Sequence, residues 1–190
     1  MWSYWIFDMD GTLTIPMHDF QEIRTLLGIP RDQDILGFID EQEESVRKNL
    51  SRRLEDWEFE IAKKSKPSLD AVALLEVLRE RENRCAVLTR NTHAFAMVTL
   101  EAAGLLDFFD PNVVLGRDSA KPKPSPDGIH KILSYWGAKA DETVMIGDDV
   151  NDVLAGKNAG CSSVFIERNR PLINPGLADI LCSDLQALIF

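Results

Sequence analysis

A chain of 190 residues is long enough for one filled core with a modest insertion. Its residues are 45% hydrophobic and 27% charged, which excludes a disordered chain, and no apolar run approaches the ~20 residues needed to cross a bilayer. Thirty-one acidic residues against 21 basic give a net charge of −10, an average surface that repels nucleic acid but admits small phosphorylated metabolites where a metal and a few cations line a cleft.

The opening residues, Met1 to Phe7, carry no basic segment and run directly into Asp8 and Asp10. They read as a first strand, Trp5–Phe7, rather than an export signal, and the expectation is a cytoplasmic protein. From about residue 15 to 67 no strand signal appears. Asp19 is placed to cap a helix with Phe20, Ile23 and Leu27 on one side. A longer helix follows, its stripe formed by Val46, Leu50, Leu54, Trp57 and Ile61. Its other face, from Glu41 to Lys64, is densely charged and reads as solvated, Arg52 and Arg53 included.

Past the linker Lys66–Ser68 the pattern becomes regular. Ser68 can cap a helix carrying Val72, Leu75 and Leu78. Cys85–Leu88 reads as a strand ending at Thr89, followed by a helix from Ala94 to Ala103 that stops at Gly104. Val113–Leu115 is a third strand. Ser125 and Pro126 open a helix with Ile129, Ile132 and Leu133 inward. Val144–Ile146 leads to Gly147 and Asp148, a helix runs from Val150 to Gly160, and Ser163–Ile166 is a fifth strand. Short, wholly apolar runs alternating with helices predict an α/β fold: a Rossmann-like parallel sheet with helices on both faces plus a small inserted α-helical cap. Residues 1–14 and 68–190 form the expected core and 15–67 the cap.

In such a sheet, ligands bind beyond the carboxyl ends of the strands. Those ends supply Asp8 and Asp10, then Thr89, Arg90 and Asn91, then Lys121 or Lys123, then Asp148, Asp149 and Asp152. Carboxylates gathered this closely need a cation among them, and hard oxygen ligands suit Mg²⁺. A lysine and a metal can offset the charge of a phosphoryl group while an anionic carboxylate attacks it. Taken singly, these residues have ordinary readings. The Asp-x-Asp-Gly segment could be a turn, Thr89 a strand end, and Asp149 with Asp152 a helix cap.

Together, and in order, they resemble a known family. Asp8–Thr14 looks like the first motif of haloacid dehalogenase superfamily phosphatases, Leu88–Thr89 the second, Lys123–Pro126 the third and Ile146–Asp152 the fourth. The resemblance is to the phosphoglycolate phosphatase-like/β-phosphoglucomutase-like branch with a small helical cap. It implies Asp8 as nucleophile and metal ligand, Asp10 as general acid/base with its carbonyl also on the metal, and Asp148 as a Mg²⁺ ligand. Thr89 and Lys123 would meet the phosphoryl oxygens, with Asp149 and Asp152 as supporting acids. Arg90 stands where many relatives have Asn or Gly, with Asn91 one residue later; both are candidate phosphate contacts. Lys123 is favoured over Lys121 because Ser125 and Pro126 fix the helix start just beyond it.

The expected function is Mg²⁺-dependent hydrolysis of a small phosphomonoester, such as phosphoglycolate, a sugar phosphate or a nucleotide. The alternatives are a sugar phosphomutase of the same superfamily and a non-catalytic phosphoryl-binding or receiver-type module. A haloalkanoate dehalogenase is disfavoured because that branch lacks the acid represented by Asp10. Cys85, Cys161 and Cys182 are too scattered for a disulfide framework or zinc site and read as packed thiols. His18, His93 and His130 show no metal spacing; His93 is expected in solvent and His130 in a structural role. Oligomeric state is not readable.

Overall fold

Alternate residues of the central strands point to opposite faces of the sheet, and both faces are covered. The computed structural model describes residues 2–17, 20–168, 171–172 and 174–189. Its six strands are β1 (Tyr4–Phe7), β2 (Arg84–Leu88), β3 (Val114–Leu115), β4 (Thr143–Gly147), β5 (Ser162–Ile166) and β6 (Ile180–Cys182). All pair in parallel in the order β3-β2-β1-β4-β5-β6. Trp5, Phe7, Val87, Val144 and Ile146 face one core, which includes Leu74, Leu75 and Leu78 of α4 (Leu69–Glu80) and Leu100 of α5 (His93–Ala102). Ile6, Ala86, Leu88 and Met145 face the other, with Ile129 and Ile132 of α6 (Asp127–Trp136) and Ala155 of α7 (Val150–Asn158). Period-two alternation with both faces apolar is why these runs look uniformly hydrophobic.

From β1 the chain builds outward to β2 and β3, then returns to add β4, β5 and β6 on the opposite side. The reversal leaves a crevice between the ends of β1 and β4, where ligands bind in sheets of this kind.

Between β1 and α4 lie α1 (Phe20–Leu27), α2 (Ile35–Asp40) and α3 (Glu44–Ala62). Ile23, Leu27, Ile29, Ile39, Leu50 and Leu54 form a separate apolar cluster that holds these helices to one another. On its other side α3 packs against α5, with the Phe59 and Phe95 rings 6.1 Å apart.

Several local expectations change. Val46 is 44% exposed, because the insert's cluster reaches only as far back as Leu50. α2 and β6 were not expected, and β3 starts at Val114 because Val113 closes a 3-10 turn. Ser68 holds the N-cap position of α4, yet its hydroxyl donates to Asp70 instead of accepting a backbone N–H. α6 begins at Asp127, one residue later than expected, with Ser125 Oγ still accepting the Asp127 N–H at 3.3 Å. Asp19 and His18 lie outside the described residues.

Candidate active site

The register of the sheet carries the chemistry to one rim. Phe7 stands beside Val87 and Ile146, so the chain leaves β1, β2 and β4 side by side. Asp8 follows β1 directly, its N–H bonded to the Ile146 carbonyl at 2.8 Å. Thr89 follows β2 and Asp148 follows β4. Lys123, from the loop entering α6, reaches under them and is buried, whereas Lys121 is exposed. The Lys123 ammonium lies 2.6 Å from Asp8 Oδ1 and 2.5 Å from Asp152 Oδ1, and donates to the Leu88 carbonyl at 2.8 Å. That geometry separates the two candidate lysines.

All nine acids, hydroxyl, amide and cations singled out at the strand ends line one cavity of about 590 Å³. Their tasks within it differ. Asn91 Nδ2 donates to Asp10 Oδ2 at 2.8 Å, orienting that carboxyl, and the Asn91 N–H donates to Thr89 Oγ1 at 3.1 Å. Arg90 is exposed at the cavity, and its carbonyl accepts from Arg117. Asp149 and Asp152 close a capping box at the start of α7: Asp149 Oδ1 accepts the Asn151 N–H, and Asp152 Oδ2 accepts the Asp149 N–H. Asp152 therefore caps a helix with one oxygen and meets Lys123 with the other. Two glycines permit this crowding. At Gly147 a Cβ would overlap the Asp152 carboxylate; at Gly11, whose φ is +89°, it would overlap that of Asp148.

Carboxylate oxygens of Asp8, Asp148 and Asp152 come within 4.8 Å of one another. Two of these carboxylates contact the Lys123 ammonium, and the three together offer hard oxygen donors, the kind that Mg²⁺ prefers. Burial alone would strip the proton from Lys123, but the charges of Asp152 and Asp8 outweigh it and hold the ammonium charged far above the ordinary lysine range. Burial raises the Asp152 carboxyl above the usual carboxylate range, with Lys123 opposing.

Sequence reasoning missed the contributors from the insert. Arg117, in the loop after β3, forms a two-pronged pair with Glu58 of α3, at 3.0 Å and 3.3 Å, at the edge of the cavity. Trp57, Leu54, Ile35, Leu36, Arg24 and Asp34 also line it. His93 is half-buried, its Nδ1 2.8 Å from the Val114 carbonyl. His130 is exposed, outside the packed side of α6. The three thiols are unpaired, and burial pushes Cys85 up to about 12 and Cys161 to about 11. Among the described residues, no helix is long and apolar enough to cross a membrane.

Fold and site together define a doubly wound α/β protein with an acidic, lysine-braced centre at its switch point. The sequence profile of haloacid dehalogenase-like hydrolases matches residues 14–166, and the chain belongs to that family. It is 30% identical over 193 residues to the uncharacterized hydrolase YOR131C of Saccharomyces cerevisiae, covering 97% of this chain and 88% of that protein. It is 37% identical over 92 residues to pyrophosphatase PpaX of Halalkalibacterium halodurans, a match spanning 48% of this chain and less than half of PpaX, 42%. A hydrolase from Pseudomonas syringae has the same fold, with a TM-score of 0.78 at 24% identity over 98% of this chain and 95% of that one.

Proposed function

We propose that this hydrolase is a Mg²⁺-dependent phosphatase that releases inorganic phosphate from a small phosphomonoester through an aspartyl-phosphate on Asp8. The observation that carries the reading is the buried Lys123 ammonium between Asp8 and Asp152, beside Asp148 and at the mouth of the β1/β4 crevice. The pyrophosphatase name of PpaX agrees with phosphoryl chemistry. In this reading, residues 1–14 and 68–190 are the catalytic core and 15–67 the cap.

Asp8 and Asp148, with the Asp10 backbone carbonyl, would hold Mg²⁺, and Asp152 stands close enough to support them. The ion would neutralise phosphoryl oxygens and the carboxylates around them. Lys123, fixed by burial, adds a permanent positive charge on the same side. Thr89, with Arg90 and Asn91 beside it, offers the remaining polar contacts to the phosphoryl group.

An Asp8 carboxylate oxygen attacks phosphorus, and the bond from phosphorus to the ester oxygen breaks. The Asp10 carboxyl, held by Asn91, gives its proton to the departing oxygen, which leaves as an alcohol. Water then attacks the phosphorus of the aspartyl-phosphate while Asp10 takes up its proton. The bond to Asp8 breaks, phosphate leaves, and both acids return to their starting states.

Asp8→Asn removes the nucleophile while changing little in size. Phosphate release from p-nitrophenyl phosphate with Mg²⁺ should fall by about 10³-fold or more, with an unchanged circular dichroism spectrum. Retention of a tenth of the activity would sink the reading.

A further inference from the structure

Within the phosphatase reading, the next question is what the ester oxygen is attached to. That group must lie on the insert side of the cavity, opposite the acids. The insert's charged side chains there already have protein partners. Asp34 Oδ2 accepts the Gly37 N–H at 2.8 Å as the cap of α2. Arg24 donates to the Gln33 carbonyl at 3.3 Å, and Glu58 is occupied by both prongs of Arg117.

What the insert leaves for a ligand is mainly hydrocarbon. Ile35, Leu36, Leu54 and Trp57 line the cavity, and Leu36 stays 38% exposed although its neighbours in α2 and α3 build an apolar cluster. An indole beside three aliphatic side chains is a surface for a flat or apolar group, not for a second carboxylate. Size agrees. A cavity of about 590 Å³ falls within the ~300–1,000 Å³ typical of sites for drug-sized ligands, far more than a two-carbon ester fills.

We infer that the substrate is a phosphomonoester whose leaving group carries a ring with an apolar face, seated against Trp57, Leu54 and Leu36. The ring displaces water from that wall, and its polar edge turns toward Arg117 and the cavity mouth. A small acidic ester such as phosphoglycolate would set its carboxylate against hydrocarbon and leave much of the wall wet.

Three esters of primary alcohols test this without large differences in leaving-group reactivity: adenosine 5′-monophosphate, ribose 5-phosphate and phosphoglycolate. With Mg²⁺, kcat/KM for the nucleotide should exceed that of the other two by about tenfold or more, chiefly through KM. Leu36→Asn should shrink that ratio at least about threefold, chiefly by raising KM for the nucleotide. Leu36 is outside the insert's apolar cluster, so this variant keeps the fold where Trp57→Ala endangers it. Equal or better turnover of phosphoglycolate overturns the proposal, as does a ratio indifferent to Leu36→Asn. Calorimetry of the same esters on the Asp8→Asn chain separates the two levels. Preferential nucleotide binding without phosphate release from the native chain supports the wall and overturns the phosphatase. Phosphate release without preference overturns the wall alone, and neither binding nor release overturns both.

Discussion

The two sides of the cavity solve opposite problems. On the sheet side, carboxylates of Asp8, Asp148 and Asp152 crowd together, with Lys123 touching two of them. In the proposed reading, that side receives a cation and an anionic ligand, which offset the crowded carboxylates. On the insert side Arg24, Asp34 and Glu58 each bond another protein group, and much of the remaining lining is apolar. In the proposed reading, reactivity belongs to the side where the acids gather. In the same reading, selection belongs to the side that offers a ligand mainly apolar surface.

The largest expected effect on stability comes from removing the buried cation between Asp8 and Asp152. Lys123→Met leaves Asp8 and Asp152 buried with no ammonium between them. Breaking a buried pair in this way costs about 3–5 kcal/mol, which thermal unfolding should register as a drop of about 6–20 °C. Activity should fall by about 10²-fold or more. Added Mg²⁺ should recover part of the lost melting temperature, because it supplies the missing charge. Lys121→Met should alter neither quantity by a comparable amount, since that side chain is exposed and does not line the cavity, and its backbone N–H bond to Asp127 is kept. If the two variants behave alike, the asymmetry between the cavity's sides is not electrostatic.

A smaller effect should come from the joint where the insert returns to the core. Asp70 there accepts from Ser68, from Arg168 at 2.5 Å and from the Leu185 N–H at 2.8 Å, and Arg168 also reaches the Thr12 carbonyl. Burial would raise its carboxyl, but these donors more than offset that and hold it below the ordinary 3.8. A depressed folded value means the contribution is complete above the unfolded value and disappears as pH falls through the folded one. Asp70→Asn should therefore lower stability at pH 7 by about 1–2 kcal/mol, roughly 2–8 °C of melting temperature. The difference from the native chain should narrow below about pH 3.8. A gap that stays constant from pH 7 to pH 3 would mean the aspartate acts through shape and not charge.

The sheet side was legible because each of its acids follows a strand in sequence. Asp8, Thr89 and Asp148 could be placed on one rim from apolar runs alone. Asp152 could be named as a supporting acid, although its three-residue spacing from Asp149 also explains a helix cap; its contact with Lys123 spans distant chain segments and was not legible. The insert side was illegible for the same reason in stronger form. Arg117 and Glu58 are 59 residues apart, and nothing local to either marks the pairing. α2 is six residues long with Gly37 inside it, too short and too weak in helix propensity to register, so Leu36 could not be assigned to a wall. β6 has three residues flanked by Asp179 and Ser183, and becomes a strand only because β5 offers it an edge.

The Arg117–Glu58 pair is where the two sides touch, and it gives the smallest and most discriminating effect. Its side chains retain 23% and 12% exposure, so solvent and salt screen the attraction, and a coupling of about 0.5–1 kcal/mol is expected. Arg117 also donates to the Arg90 carbonyl at 3.2 Å, and its N–H bonds the Asn91 carbonyl at 2.9 Å, so the pair links α3 to the loop that carries Thr89. If it serves only to seat the insert over the substrate, Arg117→Ala and Glu58→Gln should each raise KM by about two- to fivefold with kcat nearly unchanged. The double variant should be no worse than either single one. A kcat loss of about a hundredfold in Arg117→Ala alone would instead put this guanidinium among the groups facing the phosphoryl oxygens. The boundary between reacting and selecting residues would then run through α3, because Glu58 would be holding a catalytic cation.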